Sequence, residues 1–353
     1  MSRLEGFEQP PALGGRPLRR LGLLAGLVTG VALLSACAAD DRPILVDTAS
    51  AAQPSAAPTS TPLATPSPTP SPTPLVRPAA PNGRTAPAVP TDPAVFAAEL
   101  ARVELALRSP ETPPAAIADL AHQQQVLYRK LGREPGLDRP ALKGVPAELT
   151  DVIALQTAGR RSLTGLASGF DAADFVPAWE IVEPAPEADL LDFYREAEDL
   201  TGIEWEYLAA INLLETGFGR IIGLSGAGAQ GPMQFLPTTW EEVGEGEITD
   251  PRDAIIAAAR YLVRRGGPAD MNAAIFGYNN SEHYVASVSA YAELLRTDPT
   301  AFTGLYHWEI YFFTDAGDVW LPVGYRSDGP IDVDDYLADA PWSTPDLAML
   351  GSE

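Results

Sequence analysis

The stretch Glu204-Trp205-Glu206-Tyr207-Leu208-Ala209-Ala210-Ile211-Asn212-Leu213-Leu214-Glu215-Thr216-Gly217, then Ser225-Gly226-Ala227-Gly228-Ala229-Gln230-Gly231-Pro232-Met233-Gln234, decides how the chain is read. At 3.6 residues per turn, Tyr207, Leu208, Ile211, Leu214 and Glu215 share one face, so the spacing predicts a helix with a buried stripe that ends in a carboxyl group. Gly217 stands where a glycine closes a helix. A glutamate there meets apolar neighbours and the negative pole of the helix dipole, and both disfavour its charged form. The pKa rises, as a general acid requires. Most helical glutamates are solvated, so position alone does not make Glu215 catalytic. The small residues from Ser225 to Ala229 add weight, because they let backbone approach a ligand closely. This loop lacks the Gly-Lys-Ser/Thr ending of a phosphate loop, which argues against nucleotide binding.

Outward from this pair, the periodicity predicts further helices over residues 190–200, 237–243 with Trp240, 251–265, 271–279 and 281–295. Asp250 caps the third of these and Gly266-Gly267 stops it. Upstream, residues 95–107, 114–131 and 146–166 repeat apolar side chains every three or four positions, with Pro93, Pro114 and Pro146 suited to first turns. This region carries no motif and reads as a scaffold packing on the later helices. Gly169 to Pro186 is a break. Leu305 to Thr314 is β-branched and aromatic, Asp315-Ala316-Gly317-Asp318 turns and Val319 to Pro322 returns, which is one hairpin packed on helices. The residues after Arg326 read as a loose acidic tail.

Four segments in order carry a resemblance: Glu215-Thr216, Gly231-Pro232-Met233-Gln234, Ala257-Ala258-Ala259-Arg260-Tyr261-Leu262 and Gly277-Tyr278-Asn279-Asn280-Ser281. Over about Ala188 to Arg296 the chain resembles lytic transglycosylases with the soluble-lytic-transglycosylase (SLT, lysozyme-like) domain. The resemblance implies a mainly α fold: a lysozyme-like helical catalytic domain with an N-terminal helical region and a small C-terminal β-hairpin. It also implies an enzyme of peptidoglycan, a carbon-oxygen lyase cutting the MurNAc–GlcNAc bond. Most glycosidases use two carboxylates. This family uses one, so Glu215 would protonate the glycosidic oxygen and then take a proton from the sugar's own 6-hydroxyl, leaving a 1,6-anhydro-muramyl end. Met233 and Gln234 would line the cleft, and Tyr278 and Asn279 would orient the acid or the N-acetyl group. Thr216 would replace the family's serine among the substrate-binding residues, holding nearby structure, and Pro232 stands where the family has leucine or a similar residue. Trp205, Phe235, Trp240 and Tyr284 are weaker sugar-stacking candidates.

At the N-terminus, Arg3, Arg16, Arg19 and Arg20 precede an apolar run, Leu21 to Ala36, that ends Leu34-Ser35-Ala36-Cys37. This is a signal peptide over 1–36, too short for a comfortable transmembrane helix. The cysteine at its boundary resembles a lipoprotein signal, with Cys37 lipidated and the protein anchored outside the cytoplasm in the cell envelope. Cys37 is the chain's single cysteine, so no internal disulfide forms. Residues 37–92, rich in Pro, Thr, Ser and Ala, read as a disordered linker with a reach on the order of 150 Å over fifty residues. The domain reading continues with 93–186 helical, 187–304 lysozyme-like, 305–326 hairpin and 327–353 tail.

The formal net charge is −23, and signal cleavage would remove four basic and two acidic residues. Such an acidic surface excludes nucleic acid as the natural partner. A neutral glycan strand fits better, and membrane contact runs through the lipid. His122, His283 and His307 lack metal-ligand spacing, so no metal and no cofactor is expected. Two alternatives stay open. One is a hydrolase similar to goose-type lysozymes, with water placed by Glu241, Glu242 or Asp250. The other is a wall-binding lipoprotein without chemistry.

Overall fold

The computed structural model describes residues 78–169 and 171–343, so the signal peptide, Cys37, the linker up to residue 77 and the end of the tail lie outside the described residues. Within them, the first helices are α1 (Pro93–Arg108), α2 (Pro114–Arg133), α3 (Asp138–Lys143) and α4 (Thr150–Ala167). Asp92 caps α1 through its carboxylate, which accepts from the Ala94 and Val95 amides, and Pro93 follows in the first turn. Pro146 opens no α-helix: a short 3₁₀ turn at Ala147–Leu149 precedes α4. The motif-bearing region follows as α5 (Glu187–Thr201), α6 (Trp205–Thr216), α7 (Pro237–Val243), α8 (Pro251–Arg264), α9 (Met271–Tyr278) and α10 (Glu282–Thr297). The fold is mainly α, as the periodicity and the resemblance predict.

The expected one-sided stripe of α6 is replaced by burial all round: every residue from Leu208 to Thr216 is buried, and Tyr207 is half-buried. The helix runs through the middle of the body, with α5, α8 and α10 packed around it. Its apolar residues are so dense that periodicity could not show a single inner face.

The 93–186 region packs on the later helices. Helix α4 packs along α10, and Ser287 Oγ donates to the Gly159 carbonyl at 3.0 Å. One apolar core runs from Phe96 and Leu127 through Leu208, Ile211 and Leu214 of α6 to Tyr291 and Leu295.

Three two-stranded antiparallel sheets complete the described body. The hairpin pairs β4 (Ile310–Thr314) with β5 (Gly317–Leu321). It starts later than its aromatic content predicts, because Leu305 and Tyr306 end another helix, α11 (Ala301–Tyr306). The apparent break after α4 supplies β1 (Phe175–Val176) and β2 (Glu180–Ile181), which pair with β6 (Ile331–Asp332) and β3 (Ile221–Ile222) respectively. The supposed loose tail therefore contributes β6 and then α12 (Val333–Asp339), and Val333 packs in a second core with Val176, Ile181 and Phe312. The hairpin is tied to α2: Gln125 Nε2 donates to the Glu309 carbonyl at 2.7 Å and Gln125 Oε1 accepts from the Glu309 amide at 2.9 Å.

Residues 78–92 are not part of a disordered linker. Ala80 and Ala86 pack with Trp320, and Arg84 reaches Asp119 at 3.0 Å, the Ala118 carbonyl at 2.9 Å and the Glu309 carboxylate. Proline and alanine content suggests a chain with nothing to bury, yet two small side chains suffice to seat it beside an indole.

Candidate active site

Helix α6 ends through glycine. Gly217 lies in the left-handed region (φ 60°), its amide returns to the Leu213 carbonyl at 3.1 Å, and the Phe218 amide returns to Asn212 at 3.1 Å. This double return satisfies the last carbonyls and turns the chain sharply just past Glu215. The turn places the acid at the helix's end with its backbone fixed.

Glu215 is only 3% exposed. Burial pushes its carboxyl well above the usual carboxylate range, and a hydrogen bond from Tyr284 partly opposes that. The Tyr284 hydroxyl donates to Glu215 Oε1 at 2.6 Å. The shift is toward the protonated form, the direction that the sequence argument expects. Desolvation is the leading cause.

Thr216 is fully buried and does not face a ligand. Its Oγ1 donates to the Pro232 carbonyl at 2.6 Å and accepts from the Gly219 amide at 2.8 Å. Asn212 Nδ2 donates to the same carbonyl at 2.8 Å, while Asn212 Oδ1 accepts from Tyr194 at 2.6 Å. Two side chains of α6 therefore hold the loop that carries Met233 and Gln234.

That loop folds onto itself. Ser225 Oγ accepts from the Ala227 and Ala229 amides, and Gln230 and Phe235 exchange backbone bonds. At Gly231 (φ 75°) a Cβ would lie 2.0 Å from the Ile248 carbonyl oxygen, so only glycine fits. Met233 does not line the cleft as its motif position implies: the side chain is fully buried, and its carbonyl accepts from the Tyr278 hydroxyl at 2.7 Å. Gln234 is half-buried in a left-handed conformation (φ 49°), its side-chain amide donating to the Gly231 carbonyl at 3.0 Å.

Tyr278 joins the acid's surroundings: its ring lies parallel to that of Tyr284 at 6.5 Å, and burial followed by the charge of Glu215 raises its pKa well above the ordinary value. Asn279 ends α9, is 4% exposed, and its Oδ1 is sealed from solvent with no hydrogen-bond partner. A buried amide oxygen without a donor is one that a ligand's N–H would satisfy.

Two residues of this arrangement escape the sequence reading. Tyr284 reads there as only a weak stacking candidate, yet it is fully buried and bonds the acid. Its spacing with Val288 and Tyr291 marks the inner stripe of α10, where a phenol needs a buried partner. Asn212, a polar residue inside the apolar run of α6, gives the same kind of signal. Of the other stacking candidates, Phe235 is buried, whereas Trp205 and Trp240 are half-buried. The carboxylates weighed for a hydrolase stand elsewhere in the bonding: Asp250 caps α8 through the Asp253 amide at 3.0 Å, Glu242 pairs with Arg264 at 3.1 Å, and Glu241 is exposed.

Residues 192–298 match the family model described as the transglycosylase SLT domain. Over 122 residues the chain is 28% identical to a protein of Thiobacillus denitrificans named membrane-bound lytic murein transglycosylase F, covering 32% of this chain and 26% of that one. A protein of the same name from Methylobacillus flagellatus is 34% identical over 70 residues, covering 20% of this chain and 15% of that one. The chain thus spans only about a quarter or less of the length of these curated relatives. No solved structure matches it significantly.

Proposed function

We propose, from the match of residues 192–298 to the transglycosylase SLT domain model, that this protein cleaves peptidoglycan glycan strands at the MurNAc–GlcNAc bond without consuming water. The observation that carries this reading is the single carboxyl of Glu215, buried at the end of α6 and bonded by Tyr284. Glu215 gives its proton to the glycosidic oxygen as the bond to the anomeric carbon breaks. The resulting carboxylate takes the proton of the muramyl 6-hydroxyl, whose oxygen closes on the anomeric carbon as a 1,6-anhydro ring. The acid is restored and each strand cut leaves one anhydro end. Asn279 Oδ1 suits the N–H of an N-acetyl group, and Tyr278 with Tyr284 fixes the polar surroundings of the acid. Thr216, Met233 and Gln234 act through the loop they build.

Among the described residues no helix is long and apolar enough to cross a membrane. The envelope location rests on the signal-like N-terminus and lipidation of Cys37, which lies outside the described residues, and on relatives named as membrane-bound.

The test is mass spectrometry of products released from purified peptidoglycan. Anhydro-muramyl ends are expected, and Glu215→Gln should lower the rate by about 10²–10⁴ with unchanged circular dichroism. Reducing ends carrying an added water would establish the hydrolase instead. No release of soluble fragments by the wild type would leave a wall-binding protein.

A further inference from the structure

Behind the acid's helix lies a cavity of about 310 Å³, walled by α2, α4, the end of α6, α10 and the β4–β5 hairpin; Glu215 does not line it. Its size is at the lower end of small-molecule sites. Leu163, Leu214, Trp308, Ile310 and Phe313 give it apolar walls. Its charged groups are Arg129, Arg133, Arg160, Asp318 and Glu309.

The two acids are already engaged. Asp318 accepts from Arg129 Nε at 2.8 Å and pairs also with Arg133. Burial would raise its pKa, but Arg129, Arg133 and Arg160 together hold it down to about 2. Glu309 pairs with Arg84 and accepts from Trp320 Nε1 at 3.1 Å. Arg160 is left over: among the described residues it has no ion pair, and its Nε is sealed from solvent with no acceptor. Burial, then the charge of Arg129, pushes its guanidinium down to about 9, with Asp318 only partly compensating.

A second donor stands beside it. Tyr291 is fully buried and its hydroxyl has no partner. Its ring is held edge-on against Trp308 at 6.0 Å, and a Cβ on Gly159 would come within 2.8 Å of it. The charge of Arg160 acts on that hydroxyl. Arg160 Nε and the Tyr291 hydroxyl each lack an acceptor, and both residues line a cavity with apolar walls. Arg129 and Arg133 share Asp318, and Arg160 has no ion pair of its own among the described residues, so the cavity is rich in positive charge and calls for an anion. The planar fork of Arg160 matches a carboxylate, and the walls call for an apolar body.

We propose that this cavity binds a small organic monocarboxylate, its anionic end on Arg160 and Tyr291 and its body against Leu214, Trp308 and Phe313. Leu213, Leu214 and Gly217 bring the site against the segment that carries Glu215, so an occupant touches the acid's own helix.

The experiment is titration calorimetry of the full chain with benzoate and with its neutral isostere benzamide, in the absence of any glycan, so that its result is independent of the catalytic reading. Benzoate should bind at one saturable site and benzamide about tenfold more weakly or worse, as a charged hydrogen-bonded contact is lost. Arg160→Met should lose benzoate binding by a similar factor or more, and Tyr291→Phe by about two- to tenfold. Arg160→Met should melt no lower than the wild type without ligand, because the half-buried guanidinium has no ion pair among the described residues to lose. Failure of benzoate to bind, equal binding of benzamide, or wild-type affinity in a folded Arg160→Met variant would overturn the proposal.

Discussion

Replacing Thr216 by valine keeps the side chain's shape and deletes only the hydroxyl. In the wild type that oxygen donates to the Pro232 carbonyl at 2.6 Å and accepts from the Gly219 amide at 2.8 Å, with a longer contact from Asn212 Nδ2 at 3.5 Å. The Pro232 carbonyl keeps its second donor, Asn212 Nδ2 at 2.8 Å, so it loses strength rather than all partners. The Gly219 amide belongs to a half-buried residue, so losing its bond costs about 0.5–1.5 kcal/mol rather than the full penalty of a sealed donor. Adding the lost net bond to Pro232, about 0.5–1.5 kcal/mol, gives a destabilisation of about 1–3 kcal/mol. No cavity forms, because a methyl fills the hydroxyl's place. Urea unfolding followed by tryptophan fluorescence measures this directly, as a fall in midpoint with an unchanged slope. Thr216→Ser keeps both bonds and should lose only about 1 kcal/mol for the missing methyl. If the valine variant lies within about 0.5 kcal/mol of the wild type, or serine falls as far as valine, the hydroxyl does not hold the loop.

Three further outcomes follow from the same geometry. In Tyr284→Phe the bond that favours ionised Glu215 is gone, so the alkaline limb of the kcat/KM profile should move to higher pH while the maximum falls; an unmoved limb would separate Tyr284 from the acid. Glu215 has a folded pKa raised above the ordinary 4.5, so wild-type stability should decline relative to Glu215→Gln as pH rises from about 4.5 until the folded carboxyl ionises, a difference that urea midpoints across pH would reveal and a constant gap would refute. Gly231→Ala must place a Cβ 2.0 Å from the Ile248 carbonyl at φ 75°, and should destabilise more than Gly228→Ala, where φ is 82° but the space is open and only the left-handed penalty of about 1–2 kcal/mol applies. Equal losses in the two variants would mean that the loop shifts freely away from Ile248.

The burial of the Glu215 carboxyl was legible because three local signals coincide there: an apolar run, a carboxylate near its end and a helix-closing glycine. Helix limits at α7, α8 and α10 were legible for the same reason, since proline, aspartate and serine caps are written beside the segments they start. What was hidden depends on distant residues. Nothing near Tyr284 announces Glu215, 69 positions away, and nothing in Glu180-Ile181 announces its pairing with Ile221-Ile222. Two-residue strands leave no alternation to read. Acidic composition at 331–339 suggests solvation, yet Asp332 spends its carboxylate capping α12 and the apolar residues between the acids find the second core. Met233 shows the reverse error: its motif position implies a cleft-lining side chain, whereas the carbonyl is the part that reaches Tyr278.

The seat of residues 78–92 has a mechanical consequence. Ala80 and Ala86 from the front of the described body and Trp342 from its end gather on the same indole, Trp320. Tension applied through the upstream chain therefore meets the Arg84 clamp and the hairpin before it reaches α1. Loosening Trp320 would unfasten both ends of the described body in one event, at a hairpin far along the sequence from the helix that bears Glu215.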